Sequence, residues 1–96
     1  MNEPTGNRVD HDPARGRFTV VEDGHTGHLD YVLDGEVMDI HHTVVPAEIG
    51  GRGIAGRLVR AALEFARGEG HRVRPSCEYA ASWMTRHPEF DDLRAG

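Results

Sequence analysis

Ninety-six residues with 38% hydrophobic content and one tryptophan suffice for one domain around one modest core, and are too few for two. Eleven basic residues against sixteen acidic give a formal net charge of −5. That balance argues against a nucleic-acid partner, which needs clustered positive charge, and makes a cationic or neutral small substrate easier to accommodate. The single cysteine cannot form an internal disulfide, and no apolar run approaches the ~20 residues needed to span a bilayer. Nothing near Met1 has the basic-then-apolar pattern of a secretory signal, so no membrane role and a cytoplasmic location are expected.

The opening stretch, residues 1–16 (MNEPTGNRVDHDPARG), mixes proline, glycine and charge with almost no apolar content and reads as a flexible tail. The single folded domain is expected over residues 17–96. In RFTVVE, Phe18 and Val20 share a face; in HLDYVLD, Leu29, Tyr31 and Leu33 do, both at the two-residue period of half-buried strands. Asp34-Gly35 suits a tight hairpin turn into a third run, EVMDIHHTVV. Strict alternation places Met38, Ile40, His42 and Val44 on one face of that run and Val37, Asp39, His41, Thr43 and Val45 on the other. Pro46 ends it, and its length favours a bend or a split into two strands. Next, GIAGRLVRAALEFARGEG repeats Ile54, Leu58, Ala62 and Phe65 at helical spacing, with Gly68 and Gly70 fit for a left-handed end. HRVRPSC reads as a short strand, and EYAASWMTR as a short helix halted at His87-Pro88.

Between the third strand and the long helix lies EIGGRGIAG. A helix start normally offers a Ser, Thr, Asp or Asn oxygen to its free amides, and here there is none after Glu48. Unsatisfied amides and the helix dipole together make an anion site suited to a phosphate or diphosphate; the alternative is a plain flexible connector. Gly51 to Gly56 matches the dinucleotide fingerprint letter for letter, with Glu78 near the offset of a ribose-binding acid. The antiparallel meander ahead of it, and the 18 residues left after Glu78, exclude a doubly wound sheet. A phosphate loop of the nucleotide-hydrolase type fails because Arg57 and Leu58 stand where Lys and Ser or Thr are required.

HHTVVP leading into the loop, IGGRGIAGRLVRAALEFARGEG, VRPSCEYAASWM and RHPEF together resemble the GNAT superfamily of acyl-CoA-dependent N-acetyltransferases, in particular its short single-domain branch. They cover about three quarters of the chain in the right order. The resemblance implies an α/β (α+β) fold: a mainly antiparallel mixed sheet, one long acyl-CoA-loop helix and one short C-terminal helix. It implies acetyl-CoA as cosubstrate, without a metal, and an amine-bearing small molecule or peptide as acceptor. The superfamily's loop signature, R/Q-x-x-G-x-G/A, aligned on Gly53 and Ala55, puts Gly50 where Arg or Gln is usual and leaves Arg52 to compensate. Carried over by position, the resemblance implies that the amides of Arg52, Gly53, Ile54, Ala55 and Gly56 would hold the diphosphate, flanked by Gly50, Gly51 and Arg57, with bare Ala55 and Gly56 letting the oxygens approach. The free strand edge at Val44 and Val45 pairs with the pantetheine arm.

Within that scheme Cys77, at the start of the last helix where a dipole favours the thiolate, is the candidate proton donor to the departing CoA thiolate, or acyl acceptor; the alternative is a small buried side chain. Tyr79 is a second candidate acid, because larger superfamily members often use a tyrosine in that helix. His42 or His41 is the candidate base; adjacent on a strand, they are expected on opposite faces, with His42 alternatively a buried core histidine. No pair of histidines or cysteines has zinc spacing apart from His25-x-x-His28. The linker EDGHTGH leaves no room for the two helices that longer members insert there, so an open acceptor cleft is expected. The rivals are a non-catalytic CoA-binding module and a plain interaction domain.

Overall fold

The structure, a computed structural model, describes residues 8–95. Strands β1 (Asp10–Asp12), β2 (Arg17–Glu22), β3 (His25–Asp34) and β4 (Val37–Val44) form a meander. A 3₁₀ turn at Ala47–Ile49 then leads to helix α1 (Ile54–Glu69), strand β5 (Arg72–Pro75), helix α2 (Glu78–Arg86) and a closing 3₁₀ segment, Pro88–Leu93. The sheet order is β1-β2-β3-β4-β5; the first three pairings are antiparallel and β4–β5 is parallel, reached by the crossover through α1. This is the mixed α+β architecture that the sequence implies, and no helix among the described residues is long and apolar enough to cross a membrane.

Local chemistry sets the turns. β2 and β3 meet through Asp23 and Gly24, both at positive φ (51° and 77°), the geometry whose twist matches an antiparallel pair. Helix α1 ends at Gly70, whose left-handed φ of 75° lets its amide reach back to Ala66 O and Arg67 O. One face of the sheet carries Phe18, Val20, Leu29, Tyr31, Met38, Ile40 and Val73, all buried, and α1 lays Ile54, Leu58, Val59, Ala62, Leu63 and Ala66 on it. Ala80, Trp83 and Met84 of α2 with Phe90 and Leu93 close the core's end. Each fully buried Leu, Ile or Met contributes about 1.5–3 kcal/mol, so this face dominates the stability. No side chain on the opposite sheet face, from Arg17 and Thr19 through His28, Asp30 and Val32 to Asp39, His42 and Arg74, is buried, and that face carries no helix among the described residues.

Two expectations are corrected. Asp10–Asp12 is a strand, paired with Arg17–Thr19, and so is not part of a flexible tail; residues 1–7 lie outside the described residues. Its anchor is His11, which stacks on Phe18 (centroids 4.0 Å apart), meets Phe65 edge-on and shares a 2.6 Å hydrogen bond with the Tyr31 hydroxyl. The third run is one strand, neither split nor regular. Its register against β3 slips between Asp30↔His42 and Tyr31↔Ile40, which makes His41 an extra, bulged residue. Beyond it the alternation changes phase. Met38 and Ile40 are buried, but His42 and Val44 are exposed, while Thr43, directly opposite buried Leu29, turns inward and Val45 packs on the core.

Candidate functional site

Parallel pairing of β4 with β5 stops at Ile40↔Pro75, where proline closes the ladder, yet β4 runs on to Val44. The two strands therefore fork. The Cys77 amide donates to Ile40 O at 2.9 Å and pins the start of α2 in the crotch; past it, His41–Val44 has no strand partner on that side among the described residues. The bulge turns Thr43 into the fork, where the Cys77 thiol donates to its hydroxyl oxygen at 3.6 Å. Cys77 is half-buried and packs against the core margin.

Downstream of the fork lies the glycine loop. Gly51 and Gly53 hold φ of 76° and 77°, a region that a Cβ disfavours, and open space lies where each Cβ would stand. Gly53 is the N-cap of α1 without any side-chain cap, and the helix's first backbone bond runs from Arg57 N–H to Gly53 O at 3.1 Å. Consequently the amides of Ile54, Ala55 and Gly56 precede the first closed turn, and among the described residues no backbone carbonyl takes them or those of Gly51, Arg52 and Gly53. The Gly50 amide is spent on Ala47 O at 3.0 Å, so Gly50 offers surface and not a donor, and the same holds for the Arg57 amide. The loop backbone lines a groove of about 230 Å³ together with Val45, Ile49, Ile54 and Tyr79. A larger recess, about 300 Å³, lies between Arg8, Asp10, Val21, Asp23 and Gly24 at the tip of the β2–β3 hairpin, and shares no lining residue with the groove. The groove suits a diphosphate: its donors are fixed main-chain groups at a helix start.

Two arginines and one glycine behave otherwise than the sequence suggests. The Arg52 guanidinium turns from the groove to Glu22 (3.0 Å) and Asp23 (2.8 Å), so it does not stand in for the side chain missing at Gly50. Arg57 reaches Glu22 as well, at 3.4 Å. At Gly56 an added Cβ would lie 3.1 Å from Trp83 Nε1 and 3.6 Å from the Tyr79 hydroxyl. Its bareness thus serves the packing of α2 on α1, in addition to lining the groove.

Bulging also revises the two histidines. They do not point to opposite faces: His41 reaches Asp39 (Nε2 to Oδ1, 3.5 Å), His42 lies opposite Asp30, and their rings stand 6.2 Å apart, edge to face, both exposed. His42 is therefore not a core histidine. Their partners are firmly ionised. The Ser76 hydroxyl, at 2.6 Å, together with Arg74 and His41 outweighs burial and holds the Asp39 carboxyl below the usual range. Burial alone raises Asp30, but Arg17 (2.7 Å) and His28 overcome it, and its carboxyl too is held low. Among the described residues no group of three or more His, Cys, Asp or Glu is placed to hold a metal ion.

Thr43, Asp39 and Glu22 were not singled out by sequence. The readable signal for Thr43 was the adjacent His41-His42 pair in a run whose alternation fails there; the arginines that Glu22 pairs with, and the Arg74 and Ser76 that meet Asp39, lie 30 or more residues away, which leaves no local mark.

Comparison with known proteins agrees with this geometry. Protein NATD1 of Bos taurus is 38% identical over 84 residues, covering 84% of this chain and 74% of that protein, and the Homo sapiens protein NATD1 is 37% identical over the same shares. The fold matches the solution structure of a GCN5-like protein from Staphylococcus aureus with a TM-score of 0.75, at 23% identity, over 97% of this chain and 92% of that one. A profile of the GCN5-related N-acetyl-transferase family matches residues 17–93, a span that takes in the forked strands, the uncapped glycine loop and Cys77, and the chain belongs to that family.

Proposed function

We propose that this protein is an acetyl-CoA-dependent N-acetyltransferase acting on an amine-bearing small molecule or peptide. The observation that carries the reading is the row of main-chain donors from Gly51 to Gly56, without carbonyl partners among the described residues, on a groove that Val45 and Tyr79 also line. In this scheme the amides from Arg52 to Gly56 bind the diphosphate of CoA, and the β4 edge at Val44 and Val45 pairs with the pantetheine amides. A donor on that edge stabilises negative charge growing on the thioester oxygen. The amine lone pair attacks the carbonyl carbon, the C–S bond breaks, and one proton leaves the amine while another reaches the departing thiolate. His41, oriented by Asp39, or His42, opposite Asp30, accepts the first; Cys77 supplies the second, with Tyr79 in the groove's lining as the other donor. The uncovered sheet face beside the bulge leaves room for a large acceptor, and the net charge of −5 favours a cationic one. A free thiol at Cys77 suits a cytoplasmic setting.

The test is release of free CoA from acetyl-CoA on addition of an amine panel, with Cys77→Ala alongside. Turnover that depends on an amine, and falls in Cys77→Ala by about 10²-fold or more while KM for acetyl-CoA holds, supports the roles given. Binding without turnover identifies a CoA-binding module, and no binding at all removes the reading.

A further inference from the structure

The glycine loop has few ties of its own from Gly51 to Gly53. It lacks a side-chain cap, two of its residues lie at positive φ, and an added Cβ at Gly51 or Gly53 would meet nothing within 4 Å. At Arg52 the tip of the β2–β3 hairpin braces it from outside. Period-two continuation of Phe18 and Val20 carries Glu22, the last residue of β2, to the face that meets the start of α1. There one carboxylate, 19% exposed, accepts from Arg52 through Oε1 at 3.0 Å and pairs with Arg57 through Oε2 at 3.4 Å. These arginines stand on either side of Gly53–Gly56. Arg52 is further tied to Asp23 at 2.8 Å and to Glu48 O at 3.3 Å, and His25, opposite Glu22 in the hairpin, lies 4.0 Å from Glu48.

We infer that Glu22 is a positioning residue for the cosubstrate: by clamping Arg52 and Arg57 it fixes the loop in the conformation that presents its amides to the diphosphate. The inference rests on the proposed CoA-binding role. It has a sign that mere electrostatics does not share. A carboxylate beside an anion site repels the anion, so a purely electrostatic Glu22 weakens binding and its neutralisation tightens it. A clamp does the opposite.

Titration calorimetry with CoA, which needs no acceptor, separates the two. Glu22→Gln preserves shape and removes charge; the clamp predicts a Kd higher by about three- to tenfold, the size expected from two partly exposed ion pairs. Arg52→Gln weakens binding similarly, and the double variant is weaker by less than the product of the two single effects, because both remove the Glu22–Arg52 tie. Asp23→Asn, at an exposed turn whose positive φ asparagine tolerates, shifts Kd in the same direction by less and covers the case in which Glu22→Gln folds poorly. Unchanged or tighter binding by Glu22→Gln, or by Asp23→Asn if that variant alone is folded, overturns the clamp. Absence of CoA binding by the unmodified chain instead sinks the functional reading beneath it.

Discussion

Replacing Gly53 with alanine separates the loop's shape from its bulk. The Cβ would enter open space, so only the backbone conformation at φ 77° resists it. Holding an L-residue there costs about 1–2 kcal/mol, and the reduced freedom of the unfolded chain offsets roughly half, leaving about 1 kcal/mol of destabilisation. For a domain of this size that is a fall in Tm of about 4–8 °C. The effect on CoA is larger, because the chain escapes the strain by rotating at residue 53 and re-aiming the amides that follow. Loss of one or two bonds to a charged oxygen, about 1.5–3 kcal/mol each, raises Kd by roughly tenfold or more. Gly53→Asn, which accepts a left-handed backbone more readily, recovers part of both losses. Thermal melts paired with CoA titration read the two quantities separately. An alanine variant that melts lower yet binds CoA as before refutes the amide array as the grip, and one that melts unchanged refutes the need for glycine.

Gly56→Val tests the role assigned to α2. Overpacking against Trp83 Nε1, 3.1 Å from the added Cβ, costs about 1–3 kcal/mol and changes tryptophan emission in the ligand-free protein; if that glycine served only ligand approach, the free protein would melt no lower. His11 governs part of the acid stability. Burial holds its imidazole below the ordinary 6.5, against a smaller raising pull from Asp12, so the unfolded chain takes up the proton more readily. Its contribution is present above that value and is lost as pH falls through and below it. Between about pH 7.5 and pH 5, wild type should lose more Tm than His11→Phe, and parallel losses would remove the assignment.

The amphipathic stripe of α1, the hairpin signals and the absence of a cap before Ile54 are local properties, and they were legible in the sequence because each depends on neighbours within a few residues. Strand β1 was not, since its inward residue is a histidine that acts as an aromatic ring against Phe18 and Phe65. Alternation assigned the faces of β4 correctly only up to Ile40, because a bulge adds a residue without any compositional mark. The direction of Arg52 was hidden for a different reason: a carboxylate 30 positions earlier draws it away from the groove. Cys77 was placed at the mouth of the last helix by sequence, but its thiol contact with Thr43 depends on the phase change in β4.

For the phase of the strand, whatever its imidazole does in the chemistry, position 41 is fixed in count and free in kind. The two halves of β4 act as rulers joined half a step out of line, so deleting any residue from 41 to 43 would bring them into step and carry what lies beyond to the wrong side of the sheet. An exchange of the imidazole there for another side chain leaves the offset, and everything hung from it, untouched. Alignments that place a gap in this strand would thus mark chains whose fork is differently furnished.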